Sequence, residues 1–454
     1  MSLPSTTIAA QATPAGSGGV GIIRISGPLV PSMMKAFLHK TLEPRYAYFG
    51  TFYAGSEPID EGVAIYFAAP SSFTGEDVLE LQGHGGQVVL ERILQHALQL
   101  GAQQAKAGEF SYRAFLNGRL DLAQAEAIAD LISAKSAQAA KLALRSLQGA
   151  FTNEIHNLTS QLTSLRALVE HFLDFDETED APITIPQLKQ QLTELITKTK
   201  DLLTKSSLGA KQQAGLKLAI VGKPNAGKST LFNYLCRDER AIVTDIPGTT
   251  RDVLIASVQL AKGLTVEVID TAGFRDDPDI IEAKGILLAK KMLQLVDRII
   301  YLVDGSIFDI NDLKNQLEPL KKLAPVTVVF NKIDQLSVNE RSKIAKLKLN
   351  GADVLLISLQ TGENLDGLIN YLVQQLAPAN QTETLFGARA RQLQELTAAL
   401  NSLLQALSLL DASLDWTMLA EELTSASSAL ARILGIDLDK DMLDAIFSSF
   451  CVGK

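Results

Sequence analysis

The stretch that most constrains this chain runs from Gly222 to Ser229 and has the sequence GKPNAGKS. Glycine at its first and sixth positions, lysine at the seventh and serine at the eighth give the spacing of a phosphate-binding loop. An apolar run at 216–221 precedes the loop, and a helical pattern follows it. The alternative, a glycine-rich turn that binds nothing, is disfavoured because Lys228 and Ser229 are both present. The stretch therefore predicts a nucleotide-binding α/β domain.

The residue types in this loop suit the binding of phosphate groups for chemical reasons. Glycines allow backbone N–H groups to turn inward around phosphate oxygens at a helix N-terminus. Lys228 is expected to reach the β- and γ-phosphates, and the hydroxyl of Ser229 to bind Mg²⁺. We therefore expect a nucleoside triphosphate with its magnesium ion at this position.

Two further motifs indicate which nucleotide is bound. Asn331-Lys332-Ile333-Asp334 follows the predicted strand at 325–330. The carboxylate of Asp334 can accept hydrogen bonds from N1–H and the 2-amino group of guanine, a pair of donors that adenine lacks. Ser358-Leu359-Gln360 is expected to be a second, weaker base contact. Asp270-Thr271-Ala272-Gly273 ends another predicted strand and fits the aspartate that holds Mg²⁺ through water and the glycine that meets the γ-phosphate. The sequence predicts GTP.

The chain departs from Ras-like proteins in two places. Phe274 stands where a glutamine would orient the attacking water. Asn225 lies inside the phosphate loop, and TDIPGTTRD at 244–252 has the position of the first switch. The amide oxygen of Asn225 and switch carbonyls would place a monovalent cation beside the phosphates, where other proteins use an arginine. The alternative is that Asn225 is an ordinary turn residue.

Length and composition fit a multidomain soluble protein. The chain has 454 residues, 46% of them hydrophobic, and a net charge of −9. Its two cysteines cannot form a disulfide framework, its start lacks a secretory pattern, and no apolar run approaches the roughly 18 residues of a membrane span. The scattered histidines show no metal-ligand spacing. We expect a cytoplasmic protein with no membrane association, and the acidic balance argues against non-specific coating of nucleic acid.

The order of patterns predicts several domains. Residues 1 to about 117 are mixed α/β, with strands at 20–25, 62–67 and 78–81 and a helix at 86–100. Helices are expected at 121–148, 153–172 and 187–204, and again at 387–411, 415–434 and 440–447. Residues 208–215 are expected to link the third of these helices to the strand before the phosphate loop. The part between them alternates strands and helices, which is typical of a parallel sheet, with its strands at 216–221, 253–260, 264–269, 298–303, 325–330 and 353–357. The predicted fold class is therefore an N-terminal α/β domain (1–118) and a helical domain (119–213 and 379–454) interrupted by an inserted Ras-like GTPase domain (214–378).

Beyond the nucleotide motifs, the chain resembles the MnmE or TrmE family of tRNA-modifying GTPases. The resemblance is carried by motifs at both ends and in the middle of the chain: ATPAGSGGVGIIRISG at 12–27, SSFTGEDVLELQGHGG at 71–86, GEFSYRAFLNGRLDLAQAEAIADLI at 108–132, TDIPGTTRD at 244–252 and CVGK at 451–454.

The resemblance implies ligands for two ions and a catalytic residue. It implies K⁺ ligands at Asn225, Thr244, Ile246 and Thr249, and Mg²⁺ ligands at Ser229 and Thr250. It implies that Glu282 orients the attacking water, although the pattern around Glu282 alone suggests an ordinary surface carboxylate. With the motifs above, the expected GTP contacts are Asn225, Ala226, Gly227, Lys228, Ser229, Thr230, Thr244, Asp245, Ile246, Pro247, Gly248, Thr249, Thr250, Asp270, Thr271, Ala272, Gly273, Asn331, Lys332, Asp334 and Ser358.

The resemblance also implies a folate site in the N-terminal domain. Its expected residues are Arg24, Glu80, Arg119 and Lys454, and its expected ligand is a 5-formyl or 5,10-methylene tetrahydrofolate. A pterin presents a guanine-like pair of donors to Glu80, and cationic side chains suit the carboxylates of a folate. Family members carry lysine where this chain has Arg119. Cys451 is a candidate catalytic thiol near the folate, whereas the terminal CVGK is not expected to be prenylated.

The implied reaction adds an aminomethyl or carboxymethylaminomethyl group, from ammonium or glycine, at C5 of the wobble uridine of certain tRNAs. The resemblance implies a homodimer through the N-terminal domain and a heterotetramer with an FAD-dependent partner of the MnmG or GidA type. The chain itself has no G-x-G-x-x-G dinucleotide fingerprint. Two other functions stay open: a ribosome-assembly GTPase, which would carry a KH-like RNA module, and a folate-dependent methyl-transfer enzyme with a regulatory nucleotide domain.

Overall fold

The computed structural model describes residues 6–134, 136–174, 184–236, 242–243, 254–260, 265–270, 296–349, 351–376, 385–412 and 415–453. The chain divides into two compact units. The first unit consists of Met1–Ser133, Ala143–Thr204 and Ala388–Lys454, and the second consists of Ala134–Leu142 and Lys205–Gly387. The first unit is thus formed by three segments that are far apart in the sequence, whereas most of the second unit is one continuous segment.

The first unit begins with a mixed sheet. Its strands, β1 to β6, are Ile8–Gln11, Gly18–Ser26, Ala47–Ala54, Glu57–Phe67, Val78–Gly85 and Gln103–Gln104. Their order is β3-β4-β5-β2-β1-β6, and neighbouring strands are antiparallel except for the parallel pair of β1 and β6. The three strands predicted in this region lie within β2, β4 and β5 and are confirmed, whereas β1, β3 and β6 were not predicted.

Helices α1 (Val30–Leu38) and α2 (Gln87–Gln99) bury their apolar faces against this sheet, and the short α3 (Glu109–Leu116) follows. Phe37 of α1 and Ile93 of α2 are fully buried in one core with Leu79 and Leu81 of β5. Leu79 and Leu81 alternate along the strand with half-buried polar residues, so the side of β5 away from that core carries Glu80. The helix predicted at 86–100 is α2.

The helical part of the chain starts with α4 (Leu122–Ser133), α5 (Ala137–Leu147), α6 (Ala150–Asp174) and α7 (Ile185–Ala214). The expected capped start is confirmed, because Asp121 Oδ1 accepts from the N–H of Gln124 at 2.8 Å and Gln124 Oε1 accepts from the N–H of Asp121 at 3.1 Å. The single helix predicted over 121–148 is wrong. Ser136 accepts from the N–H of Ala139 at 3.0 Å, and this cap starts a new helix.

Helix α7 is also longer than the sequence suggested, because residues 208–215 were expected to be a linker. Gly209 lies inside the helix, where a glycine is normally unfavourable. A Cβ atom at Gly209 would lie 2.0 Å from the carbonyl oxygen of Phe386. The glycine therefore allows the close approach of another backbone and does not end the helix.

The second unit contains the sheet that carries the phosphate loop. Its strands are β7 (Leu216–Gly222), β8 (Ile242–Val243), β9 (Leu254–Gln259), β10 (Thr265–Asp270), β11 (Arg298–Asp304), β12 (Val326–Asn331) and β13 (Asp353–Leu356). Their order is β13-β12-β11-β7-β10-β9-β8. Strands β7 and β10 to β13 are parallel, and β12 is buried along its whole length, as expected for a strand covered on both faces.

One part of the predicted parallel sheet is antiparallel. Strand β9 pairs in the antiparallel sense with both β10 and β8. Only 260–264 separate β9 from β10, and a connection of that length is too short for the crossover that a parallel pair requires. The helices of this unit include α8 (Lys228–Cys236), α9 (Ile310–Lys321), α10 (Val338–Ala345) and α11 (Leu365–Leu376).

The chain then returns to the first unit with α12 (Ala390–Ala412), α13 (Trp416–Ile433) and α14 (Lys440–Ser448). Helix α13 packs against α12 and against α6, so helices from before and after the second unit form one bundle. The three helices predicted here and the overall fold class are confirmed. None of the helices in the described ranges combines the length and apolar character that crossing a membrane requires.

Candidate functional site

The phosphate loop lies between β7 and α8, and its geometry explains the glycine at its sixth position. Gly227 has φ of +104°, a conformation that side chains rarely adopt, and a Cβ atom there would lie 2.5 Å from Nδ2 of Asn331. Asn225 also has a left-handed conformation, with φ of +63°, and is exposed. Asparagine tolerates this conformation better than most residues, so the loop keeps an amide beside the space where phosphates are expected.

Two lysines set the resting position of the loop. Lys228 Nζ donates to the carbonyl oxygen of Lys223 at 2.9 Å. The side chain of Lys223 forms an ion pair with Asp312 of α9. The ammonium group of Lys228 thus lies across the loop to which it belongs.

Asn331, at the end of β12, joins two loops. Its side chain is 4% exposed; Nδ2 donates to the carbonyl oxygen of Ala226 at 2.9 Å, and Oδ1 accepts from the N–H of Leu359 at 3.0 Å. The first contact is to the phosphate loop, and the second is to the loop after β13. Asn331 therefore fixes the distance between the phosphate side and the base side of the site.

Asp334 is held by Ser358. Ser358 is fully buried, and its hydroxyl donates to Asp334 Oδ1 at 2.6 Å. The hydroxyl of Ser358, expected to contact the base weakly, is thus used to orient the aspartate, and this role was not predicted.

Lys332 has φ of +62°, and its Nζ lies 2.5 Å from Oδ2 of Asp304 at the end of β11. Burial disfavours the ionised form of Asp304, but hydrogen bonds from Lys332 and Ser306 outweigh burial and hold the pKa of this carboxyl below its ordinary value. Asp304 was missed in the sequence, although its place at the carboxyl end of a central parallel strand is where ligand sites form.

Several of these residues line a cavity of about 580 Å³, which is a usual size for a small-molecule site, whereas Asp304, Asp334 and Ser358 are not among its lining residues. The cavity brings the phosphate loop together with the Asn331 motif and the loop after β13. Leu359 and Gln360 were predicted together with Ser358 as the second base contact, and Gln335 was not predicted. The lining residues are Asn225, Gly227, Lys228, Ser229, Thr230, Asn331, Lys332, Gln335, Leu359 and Gln360.

Several predicted residues fall outside the described part of the chain. The backbone of Asp270 ends β10, next to β7, and nothing further is described there. The predicted residues that lie outside the described ranges are Thr244, Asp245, Ile246, Pro247, Gly248, Thr249, Thr250, Thr271, Ala272, Gly273, Glu282 and Lys454.

The first unit brings two of the four expected folate residues into contact. Arg24 of β2 and Glu80 of β5 face each other in the antiparallel register, and Arg24 Nη2 lies 2.9 Å from Glu80 Oε1. The guanidinium lies 5.5 Å from the ring centre of Phe73 and 5.7 Å from that of Phe110. The guanidinium of this partly buried ion pair therefore lies within cation–π distance of two aromatic rings.

The end of the chain lies beside this pair, and Arg119 lies near Gly75, two residues from Phe73. Arg24 Nη1 donates to the carbonyl oxygen of Gly453 at 3.5 Å, next to Lys454. The side chain of Arg119 runs along Gly75, in the loop that supplies Phe73. Cys451 is exposed, and its carbonyl oxygen accepts from the N–H of Gly108 at 3.2 Å. The C-terminal segment therefore docks on the N-terminal domain at the Arg24 pair.

The buried parallel strands, the phosphate loop and the aspartate placed for a guanine base define the second unit as a phosphate-loop domain of the GTPase type. Two family models match the chain: the MnmE helical domain over residues 122–451 and the GTP-binding protein TrmE N-terminus over residues 7–119. The chain belongs to the MnmE family of tRNA modification GTPases.

Curated relatives match along the whole chain. The tRNA modification GTPase MnmE of Pseudomonas syringae pv. syringae is 44% identical over 466 residues, which cover 100% of both chains. The protein of the same name from Yersinia pestis bv. Antiqua is 44% identical over 454 residues, 99% of each chain. Among solved structures, an Era protein of Aquifex aeolicus bound to GDP covers 41% of this chain and 66% of its own, with 26% identity and a TM-score of 0.29 that is too low to carry an argument.

Proposed function

We propose that this chain hydrolyses GTP and couples the hydrolysis to modification of the wobble uridine of certain tRNAs. The observation that carries the proposal is the cavity of about 580 Å³ in which the phosphate loop and the guanine-reading motif meet. Its support is that the full-length relatives are named tRNA modification GTPases.

Groups in the cavity wall and next to it suit the two ends of GTP. Asp334, oriented by Ser358 at 2.6 Å, would accept hydrogen bonds from N1–H and the 2-amino group of guanine. Lys228 would leave the carbonyl of Lys223 for the β- and γ-phosphates, which the N-terminus of α8 also attracts. Ser229, exposed in the first turn of α8, would bind Mg²⁺ together with Thr250, and the ion would neutralise charge on the phosphates.

A potassium ion would supply the charge that other proteins take from an arginine. Its proposed ligands are Asn225, Thr244, Ile246 and Thr249, and the exposed left-handed Asn225 is the one whose position is described. Glu282 would orient the attacking water, since Phe274 has no group for this task. Together these groups would stabilise the transition state of hydrolysis.

GTP turnover is expected to be at least about tenfold faster in KCl than in NaCl at equal ionic strength, on the scale of one electrostatic contribution to catalysis. The replacement Asn225→Ala should remove most of this difference while leaving the dissociation constant of GDP nearly unchanged. The exposed Asn311 of α9 provides the matched control as Asn311→Ala. Equal wild-type rates in the two salts would leave Asn225 as a turn residue.

The Arg24 and Glu80 pair is the proposed centre of a site for a tetrahydrofolate derivative in its 5-formyl or 5,10-methylene form, with Arg119 and Lys454 as further contacts. Glu80 would accept from the pterin, and the cations would meet the carboxylates. When bound, the folate would supply a one-carbon unit. Cys451, two residues before the carbonyl that contacts Arg24, would lie near it as a catalytic thiol.

The remaining proposed partners are those that the family resemblance implies. The chain would form a homodimer through residues 1–118 and a heterotetramer with an FAD-dependent protein of the MnmG or GidA type in the cytoplasm. The GTPase domain, 214–378, would pair and separate during turnover and act on the helical domain, 119–213 and 379–454. Domain pairing of this kind is a switch that the γ-phosphate controls.

Cells lacking this chain are expected to contain tRNA without carboxymethylaminomethyl or aminomethyl groups at the wobble uridine. Mass spectrometry of tRNA nucleosides measures this, and the wild-type gene should restore the groups while Lys228→Ala should not. The alternative function, ribosome assembly, predicts normal tRNA and an accumulation of incomplete ribosomal subunits. A methyl-transfer enzyme would act on its substrate without any flavoprotein.

A further inference from the structure

A cavity of about 150 Å³ in the first unit is lined by residues of which only Cys451 belongs to a predicted site. It lies between the last turns of α4, including Ala129 and Ile132, and the segment that holds Phe450 and Cys451, with Arg389 in its wall. Half of its eight lining residues are apolar, and the others are Arg389, Cys451, Ser133 and Ser449. A water molecule occupies about 30 Å³ in the liquid, so the cavity has room for a molecule of about five non-hydrogen atoms.

Arg389 is rigidly held in this wall. Its Nε and Nη2 donate to Asp130 Oδ1 at 3.0 and 2.7 Å, and Nη2 also donates to the carbonyl oxygen of Glu126 at 3.2 Å. Its guanidinium carbon lies 5.7 Å from the ring centre of Phe450. A guanidinium fixed on several sides loses little conformational freedom when it binds a ligand.

The third nitrogen of this guanidinium is available. Among the described residues, the carboxylate oxygen recorded near Nη1 is Glu126 Oε1 at 4.0 Å, which is beyond hydrogen-bond distance. Glu126 is itself engaged, because Arg391 Nη2 donates to its Oε2 at 2.8 Å and Gln392 Nε2 donates to the same oxygen at 2.5 Å. Nη1 can therefore donate to a carboxylate that enters the cavity.

The cavity is close to the proposed folate site. Cys451 lines it, and Gly453, two residues later, contacts Arg24 through its carbonyl oxygen. Two residues of extended chain span about 7 Å. The cavity and the Arg24 pair are thus connected by the three residues from Cys451 to Gly453.

We propose that this cavity binds the small amino acid that donates the carboxymethylamino group, with its carboxylate on Arg389. The inference rests on the proposed function, because a carboxymethylaminomethyl product retains a carboxylate that an aminomethyl product lacks. Glycine has five non-hydrogen atoms and fits the volume of about 150 Å³. Arg389 is then a specificity residue that separates the glycine-dependent reaction from the ammonium-dependent one.

The test is the ratio of the two products formed by the full chain with its flavoprotein partner, tRNA and GTP. In Arg389→Gln, the KM for glycine should rise about tenfold or more, the scale of one charge-assisted hydrogen bond, while formation of the aminomethyl product from ammonium stays within about twofold. Ala129→Leu fills the cavity and leaves the ion pair of Arg389 intact, so it should reproduce the same selective loss. Arg432→Gln removes a guanidinium that pairs with Glu395 outside the cavity and serves as the matched control.

The possible results separate the proposals. Equal loss of both products in Arg389→Gln and Ala129→Leu, or no change in the KM for glycine, would overturn the carboxylate site. A wild-type protein that makes neither product from glycine or ammonium would instead contradict the proposed function itself.

Discussion

Replacement of Asp334 by asparagine is expected to weaken GTP binding by about a hundredfold or more, since two hydrogen bonds to a charged acceptor are lost. The amide nitrogen of asparagine would face the N1–H or 2-amino donors of guanine. The substitution should leave the fold intact, because Oδ1 of an asparagine can still accept the hydrogen bond that Ser358 donates to Asp334. The same variant should bind xanthosine triphosphate more tightly than the wild type does, because the carbonyl oxygen at C2 of xanthine accepts a hydrogen bond from the new amide.

The measurement is a titration of GDP, GTP and xanthosine triphosphate against wild type and Asp334→Asn. Asp366→Asn, the same change at an exposed position of α11, is the control and should bind GTP as the wild type does. Unaltered GTP affinity in Asp334→Asn would mean that the base is read elsewhere. Loss of all nucleotides together with a lowered melting temperature would mean that the Ser358 contact maintains the fold and that the aspartate does not select the base.

The nucleotide site was largely predictable because its parts are local. A phosphate loop occupies consecutive residues between a strand and a helix, so the spacing of Gly227, Lys228 and Ser229 carries the geometry. The Asn331 motif is equally compact. What the sequence did not indicate is how these parts are held, since the contact of Asn331 with Ala226 joins residues 105 apart. Asp304 and Ser358 act through similar long-range contacts and were missed or given another role.

Structural features that depend on contacts between residues far apart in the sequence were predicted poorly, because no local sequence pattern records such contacts. Residues 208–215 were expected to be a linker but belong to α7 up to Ala214, and the close approach of the Phe386 backbone explains the glycine at position 209 inside this helix. The C-terminal segment gave no sign that Val452 pairs with Ala107. Arg389 is one arginine among many in the sequence, and its place beside Cys451 follows from packing that no local pattern records.

The same limit applies to Arg113, whose loss is expected to destabilise the first unit by about 3–5 kcal/mol. Its side chain is completely buried, and Nη1 lies 3.1 Å from Glu76 Oε2 while Nη2 lies 3.0 Å from Glu109 Oε1. Nη1 also donates to the carbonyl oxygen of Thr6 at 2.6 Å. In Arg113→Met, the carboxylates of Glu76 and Glu109 would stay largely buried without a cation. Removing one partner of a buried ion pair in this way destabilises the fold because it leaves an uncompensated buried charge.

Glu76 also connects this ion pair to the proposed folate site. Its Oε2 accepts from Ser26 Oγ at 2.7 Å, and Ser26 is on the strand that carries Arg24. Glu76 belongs to the loop whose Phe73 lies beside the Arg24 guanidinium. Arg113→Met should therefore loosen that loop and weaken binding of a reduced folate, while guanine nucleotide binding in the second unit is retained.

Hydrogen exchange of β5 and α3, with and without a reduced folate, measures both effects in the intact chain. Faster exchange is expected in Arg113→Met, and partial recovery is expected when Glu76→Gln and Glu109→Gln are added, because neutral partners no longer need the guanidinium. Arg92→Met breaks the exposed pair with Glu57 and should change stability by no more than about 1 kcal/mol. Equal exchange rates in Arg113→Met and Arg92→Met would contradict the prediction. They would mean that water replaces the guanidinium of Arg113 at little cost and that Arg113 does not position the loop that contacts Arg24.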